Sequence, residues 1–418
     1  MTKDSRRPHV VVQWSRFAPY HLARLRAAHW LVTDRGGRLT AFETAGSDAV
    51  YGWQTESDAR FKHIQVFPDA TFETLAPRDV VLGVTDALDR LDPDAVAINS
   101  YSAPDAQAAL LWCRRNRRTA VCMMESKADD AARSPLREWL KGRLVCQFDA
   151  ALAGGTPQRA YLERLGFPPA AIFEPYDVVD NGYFREAAEA ARRAPDPTRD
   201  LPGLDDPTPF FLASNRFVAR KNLPRLLRAY GAYRQRAEAP WRLVMLGDGP
   251  ERDALERLAD EVGGVTFAGF RPLAELPAYY GRAGALVHPA LVEQWGLVVN
   301  EALAAGLPVV VSDRVGAATD LVRDGETGFS FDPEDADALA DRLERVATMS
   351  GEAREAMGRR GQEAVDAWSP ERFADGLWDA VEAGARRADR GMDPIARAFL
   401  AALWTAARRV GSFYAVPE

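Results

Sequence analysis

Apolar and polar positions alternate along this chain in two series of short apolar runs separated by amphipathic stretches. Apolar runs of four to six residues between helical patterns predict βαβ units and hence parallel sheets. In the first series the predicted strands are His9–Gln13, Leu39–Thr44, His63–Phe67, Ala95–Asn99, Ala120–Met124 and Ala150–Ala153. The helices predicted between them are Tyr20–Thr33, Val80–Arg90 and Ala106–Arg115.

The second series starts after a stretch rich in Ala, Arg, Asp and Pro, which predicts a linker over residues 186–208. Its predicted strands are Phe210–Ala213, Arg242–Leu246, Val265–Ala268, Ala285–His288 and Pro308–Ser312. Its predicted helices are Leu223–Arg236, Arg252–Glu261, Leu276–Gly281, Leu297–Ala305 and Leu339–Met349. We therefore expect an N-terminal domain over 1–185, a second domain over 209–375, and helices over 376–418 that return to the first domain.

Composition narrows the class of protein. With 418 residues, 47% hydrophobic, the chain is long enough for two cores. Its net charge of −7 excludes a general nucleic-acid binder, which needs a basic surface. The three cysteines, Cys113, Cys122 and Cys146, are odd in number and lack the spacing of metal ligands. They indicate a reducing compartment. Neither a secretion signal nor an apolar run of membrane-spanning length is evident, so we expect a cytoplasmic protein.

The segment from His288 to Asp313 is the most informative part of the sequence. A strand ends at His288, and Glu293 and Gly296 lie just ahead of a helix that carries Glu301. The amides of Gly296, Leu297 and Val298 are expected to face outward, and the first turn of a helix attracts a phosphate. Two carboxylates beside such a site would accept hydrogen bonds from polyols such as a sugar and a ribose.

Further strand ends in the second series carry polar residues and glycines. Arg216 and Lys221 lie five residues apart after the strand at Phe210–Ala213, so both can point at one diphosphate. Gly247 and Gly249 form a turn after the next strand, and Phe270 and Arg271 follow the strand after that.

These motifs resemble those of the family 4 retaining glycosyltransferases, in which two glutamates are separated by seven residues. The resemblance covers roughly Phe210–Val346 and implies the GT-B fold, two doubly wound Rossmann-like domains facing across a cleft. It implies a metal-independent hexosyltransferase with a nucleotide-diphosphate sugar as donor and no other cofactor. The residues and the resemblance together predict that Glu301 binds the ribose, Glu293 the sugar, and Arg216, Lys221 and the helix amides the diphosphate. Gly247 and Gly249 would line the nucleotide side, with the base against Phe270 and Arg271.

The first domain matches the family less well. The glycine pair expected after the first strand is absent from the loop Trp14–Tyr20, where Arg16 is either an anion contact or a surface arginine. After the predicted strand Ala120–Met124, Glu125 stands near the place of a family histidine, and it either steers an acceptor hydroxyl or is an ordinary loop acid. Asp129 and Asp130 either bind the acceptor or cap the next helix.

The acceptor side leaves several interpretations open. The stretch Ser134–Phe148 predicts an amphipathic basic helix. This helix either contacts the anionic inner face of the cell membrane or packs on the sheet. A predicted helix over Ile395–Tyr414 is either an interfacial membrane helix or a helix that crosses back to cap the first domain. We expect a glycan or lipid-linked acceptor in polysaccharide, lipopolysaccharide or glycolipid assembly. The alternatives are a non-catalytic sugar-nucleotide or glycan-binding homologue and a GT-B-fold sugar-nucleotide epimerase.

Overall fold

The computed structural model describes residues 7–47, 58–194, 201–206, 208–389, 391–398 and 400. Contacts divide the chain into two units. The first comprises the described residues up to Val178 and those from Pro370 onward, and the second comprises the described residues between Val179 and Ser369.

The first unit is built on a seven-stranded parallel sheet in the order β3-β2-β1-β4-β5-β6-β7. Its strands are β1 (His9–Trp14), β2 (Arg38–Ser47), β3 (Lys62–Thr71), β4 (Ala95–Asn99), β5 (Thr119–Met124), β6 (Ala150–Ala153) and β7 (Ile172–Phe173). The helices are α1 (Pro19–Asp34), α2 (Pro77–Leu91), α3 (Pro104–Asn116), α4 (Pro135–Val145) and α5 (Thr156–Arg164). Strand order reverses between β1 and β4, which is where parallel sheets of this type form their ligand crevice.

The second unit has a six-stranded parallel sheet in the order β10-β9-β8-β11-β12-β13. Its strands are β8 (Phe210–Ser214), β9 (Arg242–Leu246), β10 (Val265–Gly269), β11 (Ala285–His288), β12 (Val309–Ser312) and β13 (Gly328–Phe331). Its helices are α6 (Asn181–Arg193), α7 (Leu223–Arg236), α8 (Arg252–Val262), α9 (Leu276–Arg282), α10 (Leu297–Ala304), α11 (Gly316–Leu321), α12 (Ala336–Thr348) and α13 (Gly351–Val365). The switch point of this sheet lies between β8 and β11.

The prediction of two α/β domains with parallel sheets is confirmed. Each sheet is covered by helices, and its central strands are largely apolar because both faces are buried: β5, β6, β11 and β12 have no exposed residue. Helix α14 (Pro370–Ala385) follows the second unit in the chain and packs against β5 and β6 of the first.

The predicted boundary at residue 185 and the start of the predicted linker need correction. Both fall inside helix α6, which belongs to the second unit and packs on α9 and α10. Ala, Arg and Glu are strong helix formers, and Asp180 caps the helix by accepting from the amide of Tyr183. Phe184 and Ala188 are buried on its inner face. The predicted helix over Ile395–Tyr414 lies largely outside the described residues.

Candidate donor-binding site

Two loops meet at the switch point of the second sheet, one after β8 and one after β11. They are tied together by backbone contacts: the amide of Leu291 donates to the carbonyl of Arg220 at 2.9 Å. The side chain of Asn222 donates to the carbonyl of Pro289 at 3.1 Å. These bonds bring the predicted cationic loop and the predicted acidic loop to one place.

Lys221 and Glu293 form a buried ion pair between Nζ and Oε2, with side chains only 12% and 13% exposed. A second cation, Arg220, lies with Nη1 3.8 Å from Oε1 of Glu293. Burial alone would raise the pKa of Glu293, but the charge of Lys221 and the neighbouring His288 outweigh it, so the pKa is held well below its usual range. Glu293 is therefore a carboxylate whose charge is balanced within the protein.

His288 lies beneath this pair at the end of β11, and its part in the site was missed from the sequence. Its side chain is 1% exposed, and Nε2 is 3.5 Å from Oε2 of Glu293, longer than a normal hydrogen bond. Burial lowers the pKa of His288, and the charge of Lys221 lowers it further against the opposing effect of Glu293. The imidazole is thus a neutral neighbour of Glu293. A titratable residue that ends a buried strand at the switch point was the available signal.

Arg216 has different surroundings from Lys221, although both belong to the loop after β8. Its guanidinium is half-buried and makes no hydrogen bond or ion pair with another side chain in the part of the chain that the structure describes. The loop is fixed beside it, because the amide of Phe217 donates to the carbonyl of Asp248 at 2.8 Å. Arg216 therefore carries a positive charge that has not been neutralised by a neighbouring acid.

The start of helix α10 depends on Gly296. This residue has φ +96°, and a Cβ there would lie 2.9 Å from Cγ1 of Val315 and 3.3 Å from Cγ of Glu293. Leu297 and Val298 are the first two residues of the helix, so their amides fall outside the intrahelical ladder. The predicted helix start is therefore present, directly after the Glu293 loop, and its binding of a phosphate stays a prediction.

The two glycines of the β9 turn are required by loop packing. A Cβ on Gly247, at φ +122°, would lie 1.7 Å from the carbonyl oxygen of Asn215. A Cβ on Gly249, at φ +156°, would lie 2.5 Å from that of Phe217. The turn after β9 thus presses against the cationic loop and fixes its backbone.

The two residues predicted to meet the base differ in exposure. Phe270 is 50% exposed after β10. The guanidinium of Arg271 is engaged within the protein, where Nε donates to the carbonyl of Ala268 at 2.7 Å and Nη1 lies 3.2 Å from Oε2 of Glu275. Phe270 is therefore half-exposed, whereas Arg271 stabilises its own loop.

Glu301 lies on the inner side of α10, where only 3% of it is exposed. Its Oε2 accepts a hydrogen bond of 2.6 Å from the hydroxyl of Tyr280, a residue of α9 that sequence reasoning did not single out. Neighbouring Asn300 accepts from Nε1 of Trp295 at 2.8 Å. The helix that starts at Gly296 is therefore held by aromatic side chains on its inner side.

In the first unit, the predicted acceptor-side residues lie at the carboxyl ends of the strands. Glu125 follows β5, and its carbonyl accepts from Nε2 of Gln158 at 3.3 Å. The pKa of Tyr176 is raised by burial and also by the negative charge of Glu125. The role of Glu125 toward an acceptor stays a prediction. Asp130 accepts from the amide of Lys127 and pairs with Arg133, which favours a structural role for that acid.

The loop without glycines after β1 is anchored by two buried carboxylates. Asp105 accepts from the hydroxyl of Ser15 at 2.7 Å. Glu43 accepts from the amide of Phe17 at 2.6 Å. Arg16 lies between these two anchors, so its backbone position is fixed from both sides.

Within the described ranges, no three His, Cys, Asp or Glu side chains lie close enough to hold a metal ion. Over the same residues, no helix has the length and apolar character needed to cross a membrane.

Solved structures show which class of protein has this fold. Anabaena HepE in complex with UDP and glucose is similar with a TM-score of 0.67 and 14% identity, over 90% of this chain and 99% of that one. Sucrose-phosphate synthase from Thermosynechococcus elongatus is similar with a TM-score of 0.67 and 21% identity, over 95% of this chain and 100% of that one. The chain has the GT-B fold of glycosyltransferases.

Residues 197–364, in the second unit, match the family of glycosyl transferases group 1. The GDP-mannose-dependent alpha-(1-6)-phosphatidylinositol monomannoside mannosyltransferase of Mycolicibacterium smegmatis is 35% identical over 41% of this chain and 47% of its own length. The alpha-D-kanosaminyltransferase of Streptomyces kanamyceticus is 29% identical over 51% of this chain and 54% of its own length. The match thus spans about half the length of these curated relatives.

Proposed function

We propose that this chain is a retaining glycosyltransferase that moves a sugar from a nucleotide-diphosphate donor to an acceptor hydroxyl. The observation that carries the proposal is the meeting of Arg216, the Lys221–Glu293 pair and the first turn of α10 at the switch point of the second sheet. Negative charge develops on the leaving diphosphate, and fixed cations and helix amides stabilise it. The same groups take the place of a metal ion, so we propose a metal-independent reaction.

The first experiment is a thermal-shift screen with UDP, GDP and ADP and their sugars. A ligand that binds the folded state raises the unfolding temperature. Arg216→Ala removes a charge-assisted contact worth about 1.5–3 kcal/mol, so nucleotide affinity should fall roughly 10- to 100-fold. Arg236→Ala is the matched control, because Arg236 lies at the other end of α7 in a surface pair with Asp341. If no nucleotide stabilises the wild type, the proposal fails.

Turnover separates the proposal from its alternatives. A transferase releases nucleoside diphosphate from the sugar donor, and added EDTA should leave the rate unchanged. A non-catalytic homologue binds the nucleotide without releasing it, and an epimerase interconverts two sugar nucleotides without an acceptor. The anomeric configuration of the product, measured by NMR, tests retention.

We also propose that the acceptor is part of cell-surface polysaccharide, lipopolysaccharide or glycolipid assembly, and that the first unit contacts anionic membrane. Helix α4 supports membrane contact: Leu136 is 66% and Trp139 48% exposed, with Arg137 and Arg143 exposed beside them. Apolar side chains flanked by cations favour binding to an anionic interface. Leu144 of the same helix is buried, so α4 packs on the sheet through its C-terminal half while its N-terminal apolar residues stay exposed.

Co-sedimentation with vesicles tests this contact. Wild type should sediment with vesicles that contain phosphatidylglycerol and remain in solution with pure phosphatidylcholine. Trp139→Ala should weaken sedimentation, whereas Trp30→Ala, at a tryptophan 69% exposed on α1, should not. Equal sedimentation of both variants would argue against α4 as the contact.

A further inference from the structure

The Tyr280–Glu301 contact couples the helix that follows the Phe270 loop to the helix that starts at Gly296. The hydroxyl of Tyr280 donates to Oε2 of Glu301 at 2.6 Å, within the range of charge-assisted O–H···O⁻ bonds. Tyr280 is fully buried and Glu301 is 3% exposed. Such a bond immobilises the carboxylate, because water cannot compete for its acceptor sites.

The phenol ring is itself held in place. Phe184 of α6 packs edge-on against Tyr280, with ring centroids 5.9 Å apart and planes at 85°. This is a favourable arrangement of two aromatic rings. A freely rotating glutamate loses rotamer entropy when a ligand fixes it. Because Tyr280 already fixes Glu301 before a ligand binds, this entropy cost does not reduce the affinity.

We propose that Tyr280 is a positioning residue that orients Glu301 toward the ribose hydroxyls, so that the site selects ribonucleoside over deoxyribonucleoside diphosphates. A carboxylate has about four acceptor positions, so Glu301 keeps acceptor capacity for a diol while it accepts from Tyr280. This inference rests on the proposed nucleotide-sugar function and adds the residue that sets its preference for a diol.

The neighbouring tyrosine provides a matched control. Tyr279 is in the same helix, is equally buried, and donates its hydroxyl to the carbonyl of Pro202 at 3.2 Å instead of to Glu301. Tyr279→Phe and Tyr280→Phe each remove one hydroxyl from one buried ring of α9. Only the second change touches Glu301.

The experiment measures the affinity of UDP and of 2′,3′-dideoxy-UDP for wild type and both variants by calorimetry, with the GDP and ADP pairs in parallel. Wild type should prefer the ribonucleotide by at least about tenfold. Tyr280→Phe should lower the affinity for the ribonucleotide about tenfold and leave that for the dideoxy nucleotide unchanged, which also shows that the site is folded. Tyr279→Phe should keep the wild-type ratio between the affinities for the ribonucleotide and the dideoxy nucleotide.

The outcomes distinguish the inference from the function on which it rests. A Tyr280→Phe protein that keeps the wild-type ratio, or loses affinity for both nucleotides equally, overturns the positioning role and leaves the proposed function standing. A wild type that binds none of UDP, GDP and ADP overturns both. If Tyr280→Phe fails to fold, Glu301→Gln replaces it and must reduce the same ratio; an unchanged ratio overturns the inference.

Discussion

Removal of the Glu293 charge should destabilise the second unit strongly. Glu293→Gln keeps the shape of the side chain but leaves the ammonium of Lys221, 12% exposed, without its counter-ion. Loss of one partner of a buried pair costs about 3–5 kcal/mol. In a unit of this size each kcal/mol lowers the unfolding midpoint by roughly 2–4 °C, so the expected shift is about 6–20 °C.

The effect should depend on pH in a defined direction. The folded pKa of Glu293 lies below its usual value of 4.5, so the pair stabilises the fold fully above about pH 4.5. That contribution is lost as the pH falls through the lower folded pKa. The difference in the free energy of unfolding between wild type and Glu293→Gln should therefore be constant near neutral pH and decrease in acid.

A set of four proteins tests the reasoning by thermal unfolding at pH 7. Asp341→Asn is the control, since Asp341 is 67% exposed in its pair with Arg236 and the change should cost at most about 1 kcal/mol. The double variant Glu293→Leu, Lys221→Met should recover much of the stability, because an apolar pair replaces the buried ion pair. A Glu293→Gln protein that unfolds within about 2 °C of the wild type would refute the buried-pair argument.

Three further changes have definite expected outcomes. Gly247→Ala should lower the free energy of unfolding by more than about 2 kcal/mol in thermal unfolding, because its Cβ would overlap a carbonyl oxygen. Gly325→Ala is the control: its Cβ meets no atom within 4 Å, so the change should cost only about 1 kcal/mol. Burial lowers the pKa of His9 from 6.5 to about 4, so its contribution to stability is nearly complete above pH 6.5 and falls by roughly 3 kcal/mol toward pH 4. His9→Asn should flatten the dependence of the urea-unfolding midpoint on pH over that range. Glu43→Leu should lower the free energy of unfolding by about 1–3 kcal/mol, because the buried amide of Phe17 loses its acceptor and the side chains of His63 and Gln65 lose theirs. Glu43→Gln should cost far less, and equal losses in urea unfolding would contradict this.

The alternation of apolar runs was sufficient to predict the two parallel sheets, because strands buried on both faces are apolar without interruption. Strand β12 was predicted one residue from its observed start at Val309, since Pro308 and Gly306 limit it. Helix α6 was mistaken for linker because its alanines and arginines were grouped with the prolines that follow. Its apolar face, Phe184 and Ala188, is too sparse to be distinguished by periodicity alone.

Positions in the candidate donor site were predictable only to the level of strand ends. Parallel strands bring their following loops to one edge, so Lys221 and Glu293 could be expected near each other although 72 residues separate them. Their direct pairing depends on side-chain direction, which sequence spacing does not determine. The same holds for Tyr280, whose helix places one tyrosine against Glu301 and its neighbour Tyr279 against a backbone carbonyl.

The first unit shows how a loop keeps a defined shape without the glycine pair that its family often has. Glycines permit a close approach of backbone to ligand, whereas the loop after β1 contains bulky residues and is fixed by acceptors instead. Asp105 holds Ser15 and Glu43 holds Phe17, and both carboxylates are buried. Each hydrogen bond to a charged group contributes about 1.5–3 kcal/mol, so rearrangement of this loop would require the loss of two such bonds. Arg16 therefore stands on a preformed backbone, and its contact with an anion stays a prediction.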